Sequence, residues 1–517
     1  MNRRLLTLII LASFLATLAC GVVDDFLADS PDSSEPAQVD SDVDDPETPA
    51  PEADSGASQE PGLPVAGEPD GLFETTACPF ETDAQVLCGY LTVPENRTIK
   101  NSPTIQLAVA ILSAPDGGAD EPPIIYLEGG PGGSPLAEFD AQDWDFPFTR
   151  NRDLIFIDQR GTGYSIPTLD CPELNDESYD FSEENPELDC RQRLAAEGID
   201  FTAYNTTENA ADIAALRNAL GIDEWDVLGI SYGTRLALDL MRFHPEGIRS
   251  VILDSPFPPN ADTPVDEVLL TYELMEALFA ACEEDAYCNE TYPDLEAVFL
   301  ETVARLNDDP VDDLTGDGLV TSVSSAMQDT SLIPLIPLVI YEVAGGNYDA
   351  LEEFGEEGFS RRQFQDEADR SDSEGMYNSV MCRDEYSFST YERVEEAVAG
   401  RLPEAIEGGL LQLTFETFQM CDFWGSGRAG TVENAAVNSS IPTLILVGEF
   451  DTATPHQWAL LASQTLSNSH LFVFPGAGHS LLTTTDCSVG VISDFLEDPT
   501  REPDRSCLDN IEWPYFE

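Results

Sequence analysis

Lysine is almost missing from this chain. Of 517 residues only Lys100 is one, and 98 acidic residues stand against 23 basic ones, for a formal net charge of −75. A field of that sign excludes nucleic acid and an anionic membrane surface as partners, and it draws in cationic ligands. Much of this acidity reads as a solvated surface that serves solubility. Histidine is scarce as well, with four in all, so candidates for a general base can be weighed one by one. No Cys-x-x-Cys and no Cys/His cluster has zinc spacing, and no metal or cofactor is expected. After the first twenty residues no apolar run approaches the ~20 residues of a membrane-spanning helix.

What is present begins with a leader. Asn2-Arg3-Arg4 is a basic start, Leu5 to Leu18 an apolar stretch, and Ala19-Cys20 a small-residue junction, the layout of an export signal over residues 1–20. A Cys directly after Thr17-Leu18-Ala19 resembles a bacterial lipobox, with Thr17 standing where Leu is usual. Cys20 is the expected lipidation site, and the membrane is expected as a partner through that lipid anchor only. An ordinary signal peptide or an uncleaved anchor would export the chain too. Residues 21–70 carry fifteen acids and no Lys or Arg. So polar a stretch cannot bury enough surface to offset its chain entropy and is expected to be an extended, disordered tether. Removing Cys20 from the eleven cysteines leaves ten, an even number in an exported chain, which points to disulfides. Spacing offers Cys78–Cys88, Cys171–Cys190, Cys282–Cys288, Cys382–Cys421 and Cys487–Cys507, one pairing among many.

From about residue 85 strand-like and helix-like segments alternate. "IIYLEGG" (124–130), "DLIFIDQRG" (153–161), "WDVLGIS" (225–231) and "SVILDS" (250–255) read as buried strands. Residues 206–222 and 232–247 read as helices between them. The alternation implies a parallel sheet with helices on both faces. Between about 260 and 435 the rhythm gives way to helices, and it resumes with strands at 442–451 and 470–479 and helices around 456–466 and 488–498. A doubly wound, mostly parallel sheet carrying a large, mostly helical cap is expected: core at 71–259 and 436–517, cap at 260–435. Within the cap, Asp313 to Gly318 partly resembles a calcium loop, but Ser324 stands where the ligating Glu belongs. A plain turn is expected there.

"LGISYGTRLA" (228–237) contains Gly-x-Ser-x-Gly between a predicted strand and a predicted helix. That context turns a weak pattern into a nucleophile elbow, with Ser231 raised above the strand ends. A serine hydroxyl needs a base. His244 ends the following helix and faces away from the strand ends, His456 starts a helix after Pro455, and His470 enters a strand from the wrong end. His479, in the loop after the last strand, lies at the same edge as Ser231 and is the expected base. Asp451, at the end of the preceding strand, is the expected acid, with Glu449 as its rival. Ser231, Asp451 and His479 run in the Ser…Asp…His order. An oxyanion hole needs two backbone N–H groups. Tyr232 supplies one, and Gly130 in "LEGGPGGS" (127–134) supplies the other, with Gly129 as the alternative. Asp158 and Arg160 are expected to shape the site wall through ion pairing.

Five motifs, "GGPGGS" (129–134), "DQRGTGYS" (158–165), "GISYGT" (229–234), "GEFDTATP" (448–455) and "GAGHS" (476–480), resemble the tripeptidyl aminopeptidase and proline iminopeptidase branch of the α/β-hydrolases. The resemblance spans about 78–507. It implies an α/β-hydrolase core, the triad Ser231, Asp451 and His479, and a cap whose acids bind the free α-amino group of a peptide. "VMCRDEYS" (380–387) resembles a Cys-x-Asp segment of that cap, which makes Asp384 and its neighbour Glu385 the amine-binding candidates. Glu128 stands before Gly-Gly-Pro where proline iminopeptidases often have His, which favours the tripeptidyl branch. The expected function is an exported serine aminopeptidase acting on peptide substrates with a free N-terminus. The alternative is a carboxylesterase or small-amide hydrolase using the same triad.

Overall fold

The computed structural model describes residues 71–511 and 516, apart from 116–120, 138, 176–184, 313, 352–353, 355–369 and 483. The leader, Cys20, the acidic tether and Asp313 lie outside the described residues.

The runs read as buried strands are too apolar and too short for independent helices, and each becomes a strand covered on both faces. β4 (Ile124–Leu127) and β5 (Leu154–Ile157) are buried at every position, as are β6 (Trp225–Ile230) and β8 (Thr443–Gly448). With β7 (Ile248–Asp254) and β9 (Ser469–Phe474) they form the parallel part of a single sheet. Its order is β1-β2-β3-β5-β4-β6-β7-β8-β9. β1 (Leu72–Thr76), β2 (Val86–Pro94) and β3 (Thr104–Leu112) add an antiparallel edge, and β3 pairs antiparallel with β5. This edge goes beyond the sequence expectation, which described only the alternating part. In β2 buried and part-buried residues alternate along much of its length, the period-two signature of a strand with one face on the core.

Helices cover both faces. Leu216, Leu236, Leu240, Ala459 and Ala462, from helices Thr206–Leu220, Tyr232–Phe243 and His456–Ser463, join the core on one side. Val491, Ile492 and Phe495, from Asp486–Glu497, join it on the other. The Asn205 side chain caps helix 206–220 by accepting from the Glu208 N–H, and Gly221 ends it with a φ of 68°. The sheet switches direction around β4, whose neighbours β5 and β6 follow it in the chain, so the loops after β4 and β6 open side by side at the carboxyl edge.

Between β7 and β8 the chain leaves the sheet. The helices Thr263–Glu284, Leu295–Asp308, Gly316–Ala326, Ile336–Ala344 and Glu404–Trp424 build an insert around their own buried cluster, which includes Leu278, Phe299, Val303, Leu319 and Ile340. Gly318, the glycine of the calcium-like pattern, lies in the first turn of one of these helices and donates to Thr315 Oγ1 at 3.0 Å. After the short helix Glu374–Val380 the insert widens into a single π-helical turn, Met381–Glu385. Disulfides join Cys78 to Cys88, Cys171 to Cys190, Cys282 to Cys288, Cys382 to Cys421 and Cys487 to Cys507, the five pairs that spacing offered. The fourth fixes the π-helical turn to the long helix 404–424.

Candidate active site

Ser231 sits between the end of β6 and the start of helix 232–243, with φ 54° and ψ −123°. A non-glycine residue holds that conformation only where its surroundings enforce it. Here they do. Its N–H donates to the Asp254 carbonyl at 2.9 Å, and its carbonyl accepts from Thr234. The flanking glycines let the turn close: a Cβ on Gly229 would meet the Gly233 carbonyl oxygen at 2.4 Å, and one on Gly233 would meet the Leu127 carbonyl oxygen at 2.0 Å. The helix after Ser231 therefore starts against the end of β4, beside the glycine loop.

His479 and Asp451 come together at the same edge. His479 Nδ1 lies 2.9 Å from Asp451 Oδ2 and 3.0 Å from Oδ1. Asp451 is fully buried. Its carboxylate also accepts from the N–H groups of Ala453 and Thr454 at 3.0 and 2.8 Å, and from Thr454 Oγ1 at 2.8 Å. Burial alone would raise this carboxyl. The imidazole and the Thr454 donors more than offset it and hold the group below the usual carboxylate range. Glu449, the rival acid, accepts instead from the Gly476 N–H at 3.0 Å. His244 ends helix 232–243, His456 opens helix 456–463 and His470 lies within β9.

The loop carrying His479 is held from two directions. The insert supplies one hold: the His479 N–H donates to the Gln328 carbonyl at 2.8 Å and the Gly478 N–H to Thr330 Oγ1 at 2.9 Å, while in the neighbouring loop of Asp451 Thr452 Oγ1 donates to the Ser324 carbonyl at 2.7 Å. Asp254, at the end of β7, supplies the other. Its carboxylate accepts from the Leu481 N–H at 2.9 Å and the Leu482 N–H at 2.7 Å. Burial pushes Asp254 up to about 6 against those hydrogen bonds. Its carbonyl holds Ser231 while its carboxylate holds the histidine loop, so Asp254 ties the two together. Sequence reasoning passed over it. The signal was an Asp ending a buried strand at the same edge as Ser231.

On the other side of Ser231 lies the glycine loop. The Gly129 N–H donates to its neighbour Glu128 Oε1 at 2.8 Å, which leaves Gly130, with φ 105°, as the loop's candidate donor beside Tyr232. The expectation of ion pairing from "DQRG" is half corrected. Arg160 is fully buried and pairs with Asp212 at 2.8 Å. Asp158, also fully buried, accepts from Ser134 Oγ at 2.8 Å and from the N–H groups of Leu136 and Tyr164 at 3.2 and 2.7 Å. It holds the glycine loop by hydrogen bonds, and among the described residues no guanidinium pairs with it. Ser373 and Ser371 of the insert bind the other side of that loop, through the Gly132 carbonyl at 3.0 Å and the Ser134 N–H at 2.8 Å.

Asp384 and Glu385 lie in the π-helical turn and are 1% and 3% exposed. Asp384 accepts from Thr206 and from Arg383 Nη1, while Glu385 accepts from Thr263 Oγ1 and pairs with Arg235. Protein partners occupy both carboxylates, so the expectation that they receive a substrate amine does not fit this geometry.

A different acid is more open. Glu267, on the first helix of the insert, is half-buried and accepts from the Tyr386 hydroxyl at 2.9 Å. Among the described residues it has no Arg or Lys partner, and burial with Asp266 nearby pushes it up to about 7. Burial first, and the Glu267 carboxylate second, raise the phenol of Tyr377, which is 41% exposed. Tyr386 packs with Phe257, whose N–H donates to Thr234 Oγ1, which itself donates to the Ser231 carbonyl. Through Tyr386, Glu267 is linked to the cluster that contains Phe257. In a sequence so rich in acids nothing marked it.

A family model for the alpha/beta hydrolase fold matches residues 122–484. Serine protease Hip1 of Mycobacterium tuberculosis is 25% identical over 460 residues, covering 81% of this chain and 86% of that protein. The tripeptidyl aminopeptidase of Streptomyces coelicolor is 24% identical over 442 residues, covering 78% and 79%. A proline iminopeptidase of Neisseria gonorrhoeae is 30% identical over 137 residues, 26% of this chain and 33% of that one.

Proposed function

This chain belongs to the α/β-hydrolase family and is a serine hydrolase, and from that premise we propose that it is an exported aminopeptidase releasing short N-terminal segments, tripeptides foremost, from peptides. The observation that supports the reading is that the Ser231 elbow and the His479–Asp451 pair lie beyond the carboxyl ends of parallel strands of one sheet. Ser231 Oγ attacks the scissile carbonyl carbon. His479, with Nδ1–H donated to Asp451, takes the serine proton on Nε2. The Tyr232 and Gly130 N–H groups receive the oxyanion. The protonated imidazole then gives its proton to the leaving amine, the C–N bond breaks, and an acyl-enzyme remains. Water, activated by the same imidazole, releases the peptide and restores Ser231.

The preference for a free N-terminus is assigned to Glu267. A partly desolvated carboxylate without a cationic partner gains one when an α-ammonium, of pKa near ~8, enters. The chain's acidity adds attraction at longer range. The curated aminopeptidase relatives support this substrate class, and the five disulfides support a compartment in which such bonds persist. The lipid anchor at Cys20 belongs to the same proposal.

The test is hydrolysis of free and N-acetylated Ala-Pro-Ala-type tripeptidyl amides, single-residue amides including prolyl, and a short-chain ester, with Ser231→Ala as control. Cleavage of free tripeptidyl amides that is lost on acetylation and in Ser231→Ala is expected. Cleavage of the ester alone would overturn the peptidase reading and leave the nucleophile in place.

A further inference from the structure

The two insert acids that looked like amine ligands occupy a different position in the network. Asp384 Oδ2 accepts from the Thr206 N–H at 2.9 Å and from Thr206 Oγ1 at 2.7 Å. Because the Thr206 hydroxyl proton goes to Asp384, the 3.1 Å contact between Thr206 Oγ1 and the Tyr232 hydroxyl has Tyr232 as its donor. Asn209 Nδ2 donates to the same phenol at 3.4 Å. A directed relay thus runs from Tyr232 through Thr206 to Asp384, and Tyr232 is the residue whose backbone N–H is proposed above as an oxyanion donor. It is fully buried, so its ring cannot turn away to another partner.

Glu385 acts one helical turn further on. Arg235, four residues after Ser231, is 1% exposed, forms an ion pair with Glu385 and donates from Nη2 to the Asp384 carbonyl at 3.1 Å. Glu385 also accepts from Thr263 Oγ1 at 2.6 Å, at the start of the first insert helix. Arg383 extends the network to Glu433 at 2.8 Å. The segment bearing all three charges is the π-helical turn, a local departure that proteins tolerate at functional positions, and the Cys382–Cys421 disulfide fixes it from behind.

We infer that Asp384 and Glu385 are positioning residues: from the insert they hold the first turn of the nucleophile helix, and with it the Tyr232 N–H, in register with Ser231. The inference rests on Ser231 as nucleophile and not on the aminopeptidase reading. A misplacement of about 1 Å in such a group lowers the chemical rate by about a hundredfold, so a partial loosening is expected to lower it about tenfold or more.

The experiment measures the rate of fluorophosphonate labelling of Ser231, together with kcat and KM on free and acetylated substrates. The variants are Glu385→Gln, Thr206→Val and Thr206→Ser. Thr206→Val keeps the shape of the side chain and breaks the relay without touching either acid, so it guards against a variant that fails to fold. Expected are labelling and kcat slowed together by about tenfold or more in Glu385→Gln and Thr206→Val, an unchanged KM, an unchanged preference for the free amine, and recovery in Thr206→Ser. Wild-type labelling rates in Glu385→Gln with a raised KM for free-amine substrates alone would overturn the inference and return the acids to substrate binding. Wild-type labelling in Thr206→Val would overturn the relay. A protein that labels but cleaves no peptide would end the aminopeptidase reading and leave the labelling rates to judge this one.

Discussion

Gly233→Ala is the smallest change that tests whether the elbow's packing sets the chemistry. The new methyl carbon would stand 2.0 Å from the Leu127 carbonyl oxygen, and real Cβ contacts essentially never fall below 3.0 Å. The helix start and the end of β4 must therefore part by about 1 Å. Those two elements carry the proposed oxyanion donors, Tyr232 and Gly130. Displacing one such donor lowers kcat by about 10²- to 10³-fold, while the overpacking itself costs about 1–3 kcal/mol of stability. KM is expected to move little, because the loss falls on the transition state. Gly408→Ala is the matched control. Gly408 lies in helix 404–424 with nothing within 4 Å of the position a methyl would take, so the same substitution is expected to stabilise the protein by up to about 1 kcal/mol with kcat unchanged. The assay is steady-state hydrolysis of a tripeptidyl amide, run beside thermal unfolding. A Gly233→Ala protein with kcat within threefold of wild type would refute the argument that this contact fixes the oxyanion geometry.

Asp254→Asn replaces an acceptor of two backbone N–H groups by a side chain with one acceptor and one competing donor. A loss of about 1.5–3 kcal/mol in stability is expected, with kcat reduced at least about tenfold through the loosened His479 loop. Unfolding and kinetics at one pH check both. Glu267→Gln is expected to raise KM for free-amine peptides about tenfold and to leave acetylated substrates unaffected, as removal of a charge-assisted contact would; parallel KM measurements decide it. Stability is expected to rise as pH falls from 8.5 to 5.5. Burial raises Asp158, Asp239, Glu267 and Glu385 to about 7 and Asp254 to about 6, above the ~4 of an unfolded carboxyl. Their contribution is complete below pH ~4 and is lost as pH climbs through those values. Asp451, whose carboxyl is depressed, acts the other way only below that window. A melting temperature that is flat or higher at pH 8.5 would contradict this sign.

The sheet was legible because its strands are encoded locally. "IIYL" and "LIFI" carry between them one polar side-chain atom, the Tyr126 hydroxyl, and Gly229 and Gly233 announce a turn tight enough to need them. The positions of Ser231, Asp451 and His479 followed from counting strand ends. The meaning of the acids was not legible, since a carboxylate takes its role from whatever reaches it across the fold. Asp384 meets Thr206 from 178 residues away, Glu385 meets Thr263 from 122, and Asp254 meets Leu481 from 227. A resemblance to an amine-binding segment can locate Asp384 and Glu385 along the chain, but it cannot count the hydrogen bonds already made to them. Glu267 is the converse case: what marks it is the lack, among the described residues, of a cation beside it in space.

The helix end and turn from Ser324 to Thr330 grip the loop of His479 and the loop of Asp451. On the proposed reading, substrate selection and bond cleavage therefore do not sit on separable modules. Transplanting this insert onto a related sheet, or trimming it to widen the range of substrates, would withdraw three hydrogen bonds from the loops that carry His479 and Asp451. A successful chimera would have to keep residues 324–330 with the host's histidine loop, and inherited variation in the insert is expected to be freest where it is farthest from that turn.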